Sequence, residues 1–214
     1  MTDPADCCVC IIDDDADMRR SLVSLFRSAG LATLAYGSSG EFLAAGLPDC
    51  PCCLVLDVRL SGESGLDVQD DLAARGIAIP IVMMTGHGDI PMTVRAMRAG
   101  AIDFLPKPFE ADEMIAAVLR GLETDSARRA AASDTDRLLD AFARLTPRER
   151  EVMALVAAGL MNKQVAGRLN LSEITVKIHR GNVMRKMEAQ SLADLVRMAE
   201  QLGVRDETIQ RYGL

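Results

Sequence analysis

The chain has 214 residues, of which 49% are hydrophobic, and its 24 lysines and arginines against 31 aspartates and glutamates give a formal net charge of −7. This length suits one large domain or two small ones, and the apolar share excludes a disordered chain. Because no apolar run approaches the roughly 20 residues of a membrane-spanning helix, and the acidic first residues lack the apolar segment of a signal peptide, we expect a cytoplasmic protein with no membrane association.

The first half alternates short apolar runs with amphipathic stretches, which is the pattern of repeated β–α units around a parallel sheet. We predict an α/β fold with a doubly wound sheet in the common strand order 2-1-3-4-5. The predicted strands are residues 9–12, 31–36, 53–56, 81–84 and 101–105. The predicted helices are residues 15–29, 38–46, 66–75, 90–99 and 110–122, and residues 59–65 are predicted to be a loop.

The second half has a different composition. Alanine, arginine, aspartate and serine dominate residues 124–142, which we predict to be a helical linker between a domain at 1–123 and a domain at 143–214. Thr146-Pro-Arg-Glu149 supplies the N-cap, N1 and N3 residues of a helix start, and Ser172 is a good N-cap for a helix over residues 173–187. With further helices near 162–169 and 191–202, the last domain is predicted to be a small all-α unit of four helices.

Charge is divided unevenly between the halves. Residues 1–123 hold 9 basic and 19 acidic side chains, whereas residues 124–214 hold 15 basic and 12 acidic ones. Between positions 161 and 186 there are six lysines and arginines and one acidic residue, Glu173. The asymmetry indicates an acidic metal-binding half and a nucleic-acid-binding half, although a solvated helix face would give the same pattern.

Polar side chains follow four of the predicted strands, at the carboxyl ends where open parallel sheets bind their ligands. Asp13 and Asp14 follow the first strand, Asp57 the third, Thr85 the fourth and Lys107 the fifth. Grouped carboxylates repel one another unless a hard cation lies between them, and Mg²⁺ accepts both carboxylate and phosphate oxygens. A lysine and a hydroxyl can serve the other oxygens of a phosphoryl group. The pattern indicates phosphoryl transfer onto an aspartate.

These residues lie in motifs that resemble the receiver domain of bacterial response regulators, which has a flavodoxin-like (βα)5 fold. The similarity covers about residues 7–122 and rests on Ile11-Ile-Asp-Asp14, Leu56-Asp57, Met84-Thr85-Gly86 and Lys107-Pro108-Phe109. Two further segments resemble the FixJ branch of that family: Thr85-Gly-His-Gly-Asp-Ile-Pro-Met92 and Ala99-Gly-Ala-Ile-Asp-Phe104.

The resemblance implies the acceptor and the metal ligands. Asp57 would be the phosphoacceptor, Asp14 a direct Mg²⁺ ligand, and Asp13 a direct or water-mediated one, with the backbone carbonyl of Arg59 as a further ligand. Mg²⁺ is thus the expected cofactor. Relatives commonly have proline four residues after the acceptor, whereas this chain has Ser61. We expect that difference to loosen the loop beside the metal and to change how long the phosphoryl group persists on Asp57.

The resemblance also implies the switch residues. Lys107 would pair with a phosphoryl oxygen, aimed by a cis bond to Pro108, which is accessible because the bond precedes proline. The hydroxyl of Thr85 would bind the phosphate, and Phe104 would turn inward as Thr85 moves. The usual dimer surface of the family would include Ile90, Val94, Met97, Arg98, Phe104 and Met114.

The basic region resembles the LuxR-type helix-turn-helix domain over about residues 143–203. The matching segments are Leu145-Thr-Pro-Arg-Glu-Arg-Glu-Val152, Gly159-Leu-Met-Asn-Lys163 and Leu171-Ser-Glu-Ile-Thr-Val-Lys-Ile-His-Arg180. A recognition helix places its N-terminal half in the major groove. We predict inward positions for Ile174, Val176, Val183 and Met187, and contacts near bases for Lys177, Ile178 and Gly181. Predicted phosphate contacts are Thr175, Arg180, Arg185, Lys186, Asn162 and Lys163.

The six cysteines all lie in the first quarter of the chain, in two clusters that precede the first and third predicted strands. These strands are neighbours in the predicted order, so the thiols should gather at the amino-terminal side of the sheet, away from the carboxylates. A redox switch or a soft-metal site would fit there, but small thiols that fill buried strand positions are the simpler interpretation.

Together these patterns predict a two-component response regulator. A sensor histidine kinase would phosphorylate Asp57, and the protein would then dimerise, bind double-stranded promoter DNA and regulate transcription, by activation, with RNA polymerase as a further partner. We expect no catalysis beyond self-phosphorylation and auto-dephosphorylation. Two alternatives stay open: a Mg²⁺-dependent aspartyl phosphatase, and a regulator that responds to thiol oxidation independently of phosphorylation.

Overall fold

The computed structural model describes residues 7–86 and 90–204. The chain divides after Ala130 into two compact units, 1–130 and 131–214. Within the described ranges, none of the helices is both long and apolar enough to cross a bilayer.

The first unit is built on a parallel sheet of five strands in the order β2-β1-β3-β6-β7. A small antiparallel pair, β4 with β5, lies outside this sheet. Without that pair the order is the predicted 2-1-3-4-5, so the predicted fold class is confirmed. The strands are β1 (Cys8–Ile12), β2 (Ala32–Tyr36), β3 (Cys52–Asp57), β4 (Arg59–Leu60), β5 (Glu63–Ser64), β6 (Ile81–Thr85) and β7 (Asp103–Pro106).

Helices cover both faces of the sheet, because β1, β3 and β6 are buried along their whole length and strands buried on two faces need apolar cover on both. One core cluster holds Cys8, Cys10, Leu54 and Leu72, and the other holds Val9, Phe26, Cys53 and Met114. The helices are α1 (Ala16–Ser28), α2 (Ser39–Ala45), α3 (Gly65–Ala74), α4 (Ile90–Arg98) and α5 (Ala111–Ala143).

Sequence reasoning missed two features of this unit. The segment 59–65, predicted to be a loop, contains the short hairpin β4–β5. The helix predicted to end near Leu122 continues without a break as α5 to Ala143. The helical conformation predicted for residues 124–142 is therefore confirmed, but not a separate linker helix. The division after Ala130 falls inside α5.

The cysteines lie where the strand order predicted. Cys8 of β1 is paired with Cys52 of β3, at the amino-terminal ends of both strands. Of the six thiols, five are buried and Cys50 is half-buried, and none of the six forms a disulfide bond. The interpretation of the thiols as small core residues is therefore confirmed for the five buried ones.

The second unit packs short helices around an apolar core. They are α6 (Pro147–Ala157), α7 (Asn162–Leu169), α8 (Glu173–Lys186) and α9 (Leu192–Gln201). The predicted capping box forms, since the Thr146 hydroxyl accepts from the Glu149 N–H and the Glu149 carboxylate accepts from the Thr146 N–H. Ser172 caps α8 by accepting the Thr175 N–H at 3.1 Å. The backbone of this unit thus follows its local sequence signals.

The inward face of α8 differs from the prediction at one position. Val176, Val183 and Met187 are buried in the core of the second unit, as predicted. Ile174 is not, because its side chain is 74% exposed. Residues 174 and 176 lie two positions apart, and side chains at that spacing do not share a helix face.

Candidate functional site

The carboxyl ends of four parallel strands hold the predicted acidic site. Asp13 follows β1, Asp57 ends β3, Thr85 ends β6 and Lys107 follows β7. Neighbouring strands are paired so that these ends lie side by side, since Asp57 is paired with Met84 and Thr85 with Pro106. Asp13, Asp57 and Thr85 are buried. A parallel sheet therefore gathers side chains that are far apart in sequence.

One ammonium group joins the two buried acids. The Lys107 Nζ atom lies 3.0 Å from Asp13 Oδ2 and 2.5 Å from Asp57 Oδ2. The other carboxylate oxygens accept backbone hydrogen bonds, Asp13 Oδ1 from Asp15 at 2.8 Å and Asp57 Oδ1 from Arg59 at 3.0 Å. Both carboxylates are thereby held in fixed orientations, which is the condition for a pre-organised site.

The backbone around Lys107 has the conformation that the family resemblance implies. The bond between Lys107 and Pro108 is cis. The Lys107 N–H donates to the carbonyl oxygen of Thr85 at 2.6 Å, so the strand carrying the lysine is tied to the strand carrying the threonine.

The acidic site has more negative than positive charge. Burial raises the pKa of Asp13, and the opposing Lys107 ammonium does not cancel that effect. Burial acts to lower the pKa of Lys107, but its hydrogen bonds to Asp57 and Asp13 outweigh it and the pKa is raised. The hydroxyl of Ser61 donates to Asp14 and lowers the pKa of that exposed carboxyl. The site thus contains three aspartates and one lysine.

The donor atoms fit a hard divalent cation. Mg²⁺ binds carboxylate and carbonyl oxygens and usually retains several waters, and Asp13, Asp14 and Asp57 supply such oxygens with an excess of negative charge. In the arrangement described, no three acidic, histidine or cysteine side chains within residues 7–86 and 90–204 converge as ligands of one ion. Asp14 is instead engaged by Ser61, and Asp13 and Asp57 by Lys107.

A close backbone approach supports the carboxyl end of β3, and the sequence analysis did not identify it. The Gly65 N–H donates to the carbonyl of Val58 at 2.8 Å. A Cβ atom at Gly65 would lie 2.1 Å from the carbonyl oxygen of Asp57 and 3.0 Å from the Cα atom of Val58. Only glycine fits at such a contact. The signal in the sequence was the glycine that closes Ser61-Gly-Glu-Ser-Gly65.

The residues of the predicted dimer surface are exposed only in part. Ile90 is 81% exposed, and Val94, Met97 and Arg98 are also exposed, while Phe104 of β7 is half-buried. The prediction for Met114 is wrong, because that side chain is fully buried in the core beneath α5. His87, in the segment that follows Thr85, lies outside the described residues.

In the second unit, the predicted base contacts share the outer side of α8. Lys177, Ile178 and Gly181 are all exposed. Among the predicted phosphate contacts, Lys163 and Arg185 are exposed, whereas Arg180, Thr175 and Asn162 are half-buried. Their DNA contacts stay predictions.

Five of the predicted phosphate contacts have side-chain partners within the second unit, and two of these are local, Thr175 with Ser172 and Arg185 with Asn182. Arg180 Nη1 donates to Asn162 Oδ1 at 3.1 Å, which links α8 to the start of α7. Lys186 Nζ lies 2.7 Å from Glu149 Oε2 and 3.2 Å from the carbonyl oxygen of Arg144. Burial acts to raise the pKa of Glu149, but its contacts with Lys186 and Thr146 lower it. These contacts hold the helices of the second unit together.

A further buried acid lies at the other end of the sheet, and sequence reasoning did not identify it. Asp125 of α5 is fully buried and accepts the Cys52 N–H at 3.0 Å. It also accepts from Arg128 Nη2 at 2.5 Å and Arg129 Nε at 2.8 Å, and Arg129 Nη2 donates to the Pro48 carbonyl at 3.0 Å. This network, here called the Asp125 clamp (Asp125, Arg128, Arg129, Cys52 and Pro48), attaches α5 to the start of β3.

The comparisons with known proteins agree with this geometry. A family model described as "Response regulator receiver domain" matches residues 9–119, and one described as "Bacterial regulatory proteins, luxR family" matches residues 143–199. The chain is 58% identical to Nodulation protein W of Bradyrhizobium diazoefficiens over 92% of this chain and 86% of that protein. It is 44% identical to the transcriptional regulatory protein FixJ of Azorhizobium caulinodans, over 91% and 92%. The solved structure of the response regulator StyR has a TM-score of 0.85 at 47% identity and covers 92% of this chain and 100% of its own.

Proposed function

Because the chain belongs to the two-component response regulators that join a receiver domain to a LuxR-type DNA-binding domain, we propose that phosphorylation of Asp57 controls its binding to promoter DNA. The observation that carries the proposal is the contact of Lys107 with both Asp13 and Asp57 at the carboxyl end of the sheet. The phosphoryl donor is a sensor histidine kinase, and the protein acts in the cytoplasm.

The chemistry is transfer of a phosphoryl group to a carboxylate oxygen of Asp57, which forms an acyl phosphate. The Lys107 ammonium, now 2.5 Å from Asp57 Oδ2, pairs with a phosphoryl oxygen of the product. Asp13, Asp14, Asp57 and the Arg59 carbonyl would hold Mg²⁺, which when bound neutralises charge on the phosphoryl oxygens. Asp13 and Asp57 are pre-oriented for this by backbone N–H groups.

The switch uses Thr85 and Phe104. Thr85 is buried at the end of β6, beside the acceptor strand, and its hydroxyl moves to the phosphoryl group. Phe104 lies half-buried on β7 and turns inward with it. The exposed apolar side chains of α4, Ile90, Val94 and Met97, then form a homodimer surface. Phosphorylation shifts the population between two states by the difference in their affinity for the phosphoryl group.

The output is transcription regulation by activation. The dimer binds a two-fold operator, with α8 in the major groove and Lys177, Ile178 and Gly181 near bases. RNA polymerase is the further partner. The protein has no turnover beyond its own phosphorylation and dephosphorylation, because its acidic site is an acceptor for one group.

A thiol-redox mechanism is less well supported than phosphorylation. The thiolate is the reactive form of cysteine, and burial raises the pKa of Cys52 to about 11 and also raises that of Cys53. Cys8 is the exception, because a hydrogen bond with Cys10 lowers its pKa. All but Cys50 are buried, which restricts access by an oxidant.

The deciding experiment measures molecular mass and promoter-DNA affinity of the full chain with and without beryllofluoride plus Mg²⁺. We expect a monomer–dimer shift and at least about tenfold tighter DNA binding, a coupling of the usual size. The Asp57→Asn variant should lose both responses, and Asp49→Asn, at an exposed receiver aspartate, should keep them.

Two other results would contradict the proposal. One is an unchanged mass and DNA affinity in the presence of beryllofluoride. The other is a response to peroxide that survives in Asp57→Asn and disappears when Cys8 and Cys52 are replaced by serine, which would favour the redox alternative.

A further inference from the structure

Two large apolar side chains on α8 are left in solvent. Ile174 is 74% exposed and Ile178 is 60% exposed. Residues four positions apart on a helix are neighbours on its surface, so the two form one apolar stripe, here called the isoleucine stripe. Single exposed apolar residues are ordinary, but adjacent ones at a binding surface indicate a contact.

Basic side chains predominate on the exposed surface of α7 and α8. Lys177, between the two isoleucines in sequence, is exposed, as are Lys163 on α7 and Arg185 on α8, and the exposed acid of these two helices is Glu173. The stripe occupies the N-terminal half of α8, which begins at Glu173. Charge complementarity therefore selects a polyanion, and the position on the recognition helix selects the major groove of DNA.

The helix surface beyond the stripe permits close approach. Gly181 follows Ile178 by three positions, and a Cβ atom there would meet nothing within 4 Å. The next turn of α8 therefore presents backbone in place of a bulky side chain. Ile174 and Ile178 are the exposed large apolar side chains of this half of α8.

Resting on the proposed function, we infer that Ile174 and Ile178 determine operator specificity by packing against the C5 methyl groups of two thymines in each half-site. An isoleucine side chain has no hydrogen-bonding group, and the thymine methyl is the apolar group that base pairs expose in the major groove. Four residues of helix rise about 6 Å, and base pairs along one strand are about 3.4 Å apart. The two thymines are thus about two base-pair steps apart.

The test removes the methyl groups alone. Full-length protein with beryllofluoride and Mg²⁺ selects binding sites from a random duplex library, and each thymine of the selected site is then replaced by deoxyuridine. We expect affinity to fall about fourfold at each of two positions per half-site, since burial of one methyl group is worth about that factor. Ile174→Ala should remove the sensitivity at one position and Ile178→Ala at the other.

Matched variants separate recognition from folding. Ile174→Val keeps a branched apolar side chain and should retain part of the methyl sensitivity. Leu192→Ala removes a 39% exposed apolar side chain of α9 and should leave the deoxyuridine profile unchanged. Thermal unfolding of each variant verifies that the fold is intact, which we expect because both isoleucines are exposed.

Each outcome has a defined meaning. Enriched sites that bind equally well with thymine or deoxyuridine would overturn the isoleucine stripe as the thymine contact, while leaving the proposed function in place. So would Ile→Ala variants that keep the full deoxyuridine sensitivity, or that change self-association without changing DNA affinity. No enriched sequence, with or without beryllofluoride, would overturn the proposed function and this inference with it.

Discussion

A buried aspartate lies at each end of β3, Asp57 on the strand itself and Asp125 on α5, and the two ends differ in how fully the negative charge is balanced. At the carboxyl end, Asp57 and Asp13 share the single ammonium of Lys107. At the amino end, Asp125 alone is served by Arg128, Arg129 and the Cys52 N–H.

The pKa shifts follow from that balance. Burial raises the pKa of Asp13 despite Lys107. Burial acts in the same direction on Asp125, but the Cys52 N–H, Arg129 and Arg128 outweigh it and the pKa is lowered. A buried carboxylate with complete partners is a structural element, whereas one with incomplete partners retains capacity for a cation. Unbalanced charge, more than burial itself, distinguishes the carboxyl end of this sheet from its amino end.

The largest expected effect comes from the backbone beside Asp57. Gly65→Ala would place a Cβ atom 2.1 Å from the Asp57 carbonyl oxygen, and neither backbone segment can yield easily. We expect a loss of about 3 kcal/mol of unfolding free energy, and loss of the beryllofluoride response. Gly40→Ala in α2 is the control, since the nearest atom to its Cβ is 3.9 Å away. It should stabilise by about 0.5 kcal/mol, measured by urea unfolding.

The Asp125 clamp gives the next largest effect. Asp125→Asn would leave two arginines without their carboxylate and should cost about 2 kcal/mol, less than for a fully buried pair because the arginine side chains are 46% and 29% exposed. Asp134→Asn, on the same helix and 78% exposed, should change stability by less than about 0.5 kcal/mol. Equal effects in urea unfolding would mean that the clamp does not stabilise the first unit.

Acid should erase the difference between wild type and Asp125→Asn. A carboxyl whose folded pKa is depressed contributes stability above its ordinary pKa, and that contribution is lost as pH falls through the folded pKa. The ordinary value for Asp125 is 3.8. Urea unfolding of the two proteins should therefore differ most near neutral pH and converge below that value. A difference that stays constant down to acid would show that charge on Asp125 is not its source.

Asp13 should behave in the opposite way. Asp13→Asn removes one of two acids that share Lys107, so without Mg²⁺ we expect it to stabilise the protein by about 1 kcal/mol, as substitutions at strained functional sites can. Wild type should gain about 1.4 kcal/mol from Mg²⁺ at tenfold excess over its dissociation constant, and the variant should gain much less. Urea unfolding in EDTA and in Mg²⁺ measures both. Destabilisation by Asp13→Asn in EDTA would remove the contrast with Asp125.

The sequence predicted the acidic site at the carboxyl end of β3. It did not reveal Asp125 at the amino end, and the reason is physical. Asp13, Asp57, Thr85 and Lys107 each follow an apolar strand, so strand order alone brings them together. Asp125 lies in a polar stretch, and its backbone partner is 73 residues away, so no local pattern marks it.

Two predictions about helix faces were wrong for a related reason. Ile174 was placed in the core and Met114 on the surface, whereas the structure has the reverse. An apolar residue near a helix start fits either side of the helix, and the packing partner decides which. Sequence patterns therefore predicted the strands and their ends better than they predicted which side chains of α5 and α8 face the core.

The smallest expected effect concerns Ser61, whose hydroxyl donates to Asp14. Both side chains are exposed, so Ser61→Ala should change unfolding free energy by less than about 0.5 kcal/mol. It should nevertheless free an Asp14 oxygen for Mg²⁺ and tighten Mg²⁺ binding about twofold, the low end of what one hydrogen bond contributes. A titration of beryllofluoride-free protein with Mg²⁺ measures this. Weaker binding in Ser61→Ala would mean that the serine positions Asp14 for the ion, so that the acidic end gains its order from the loop as well as from Lys107.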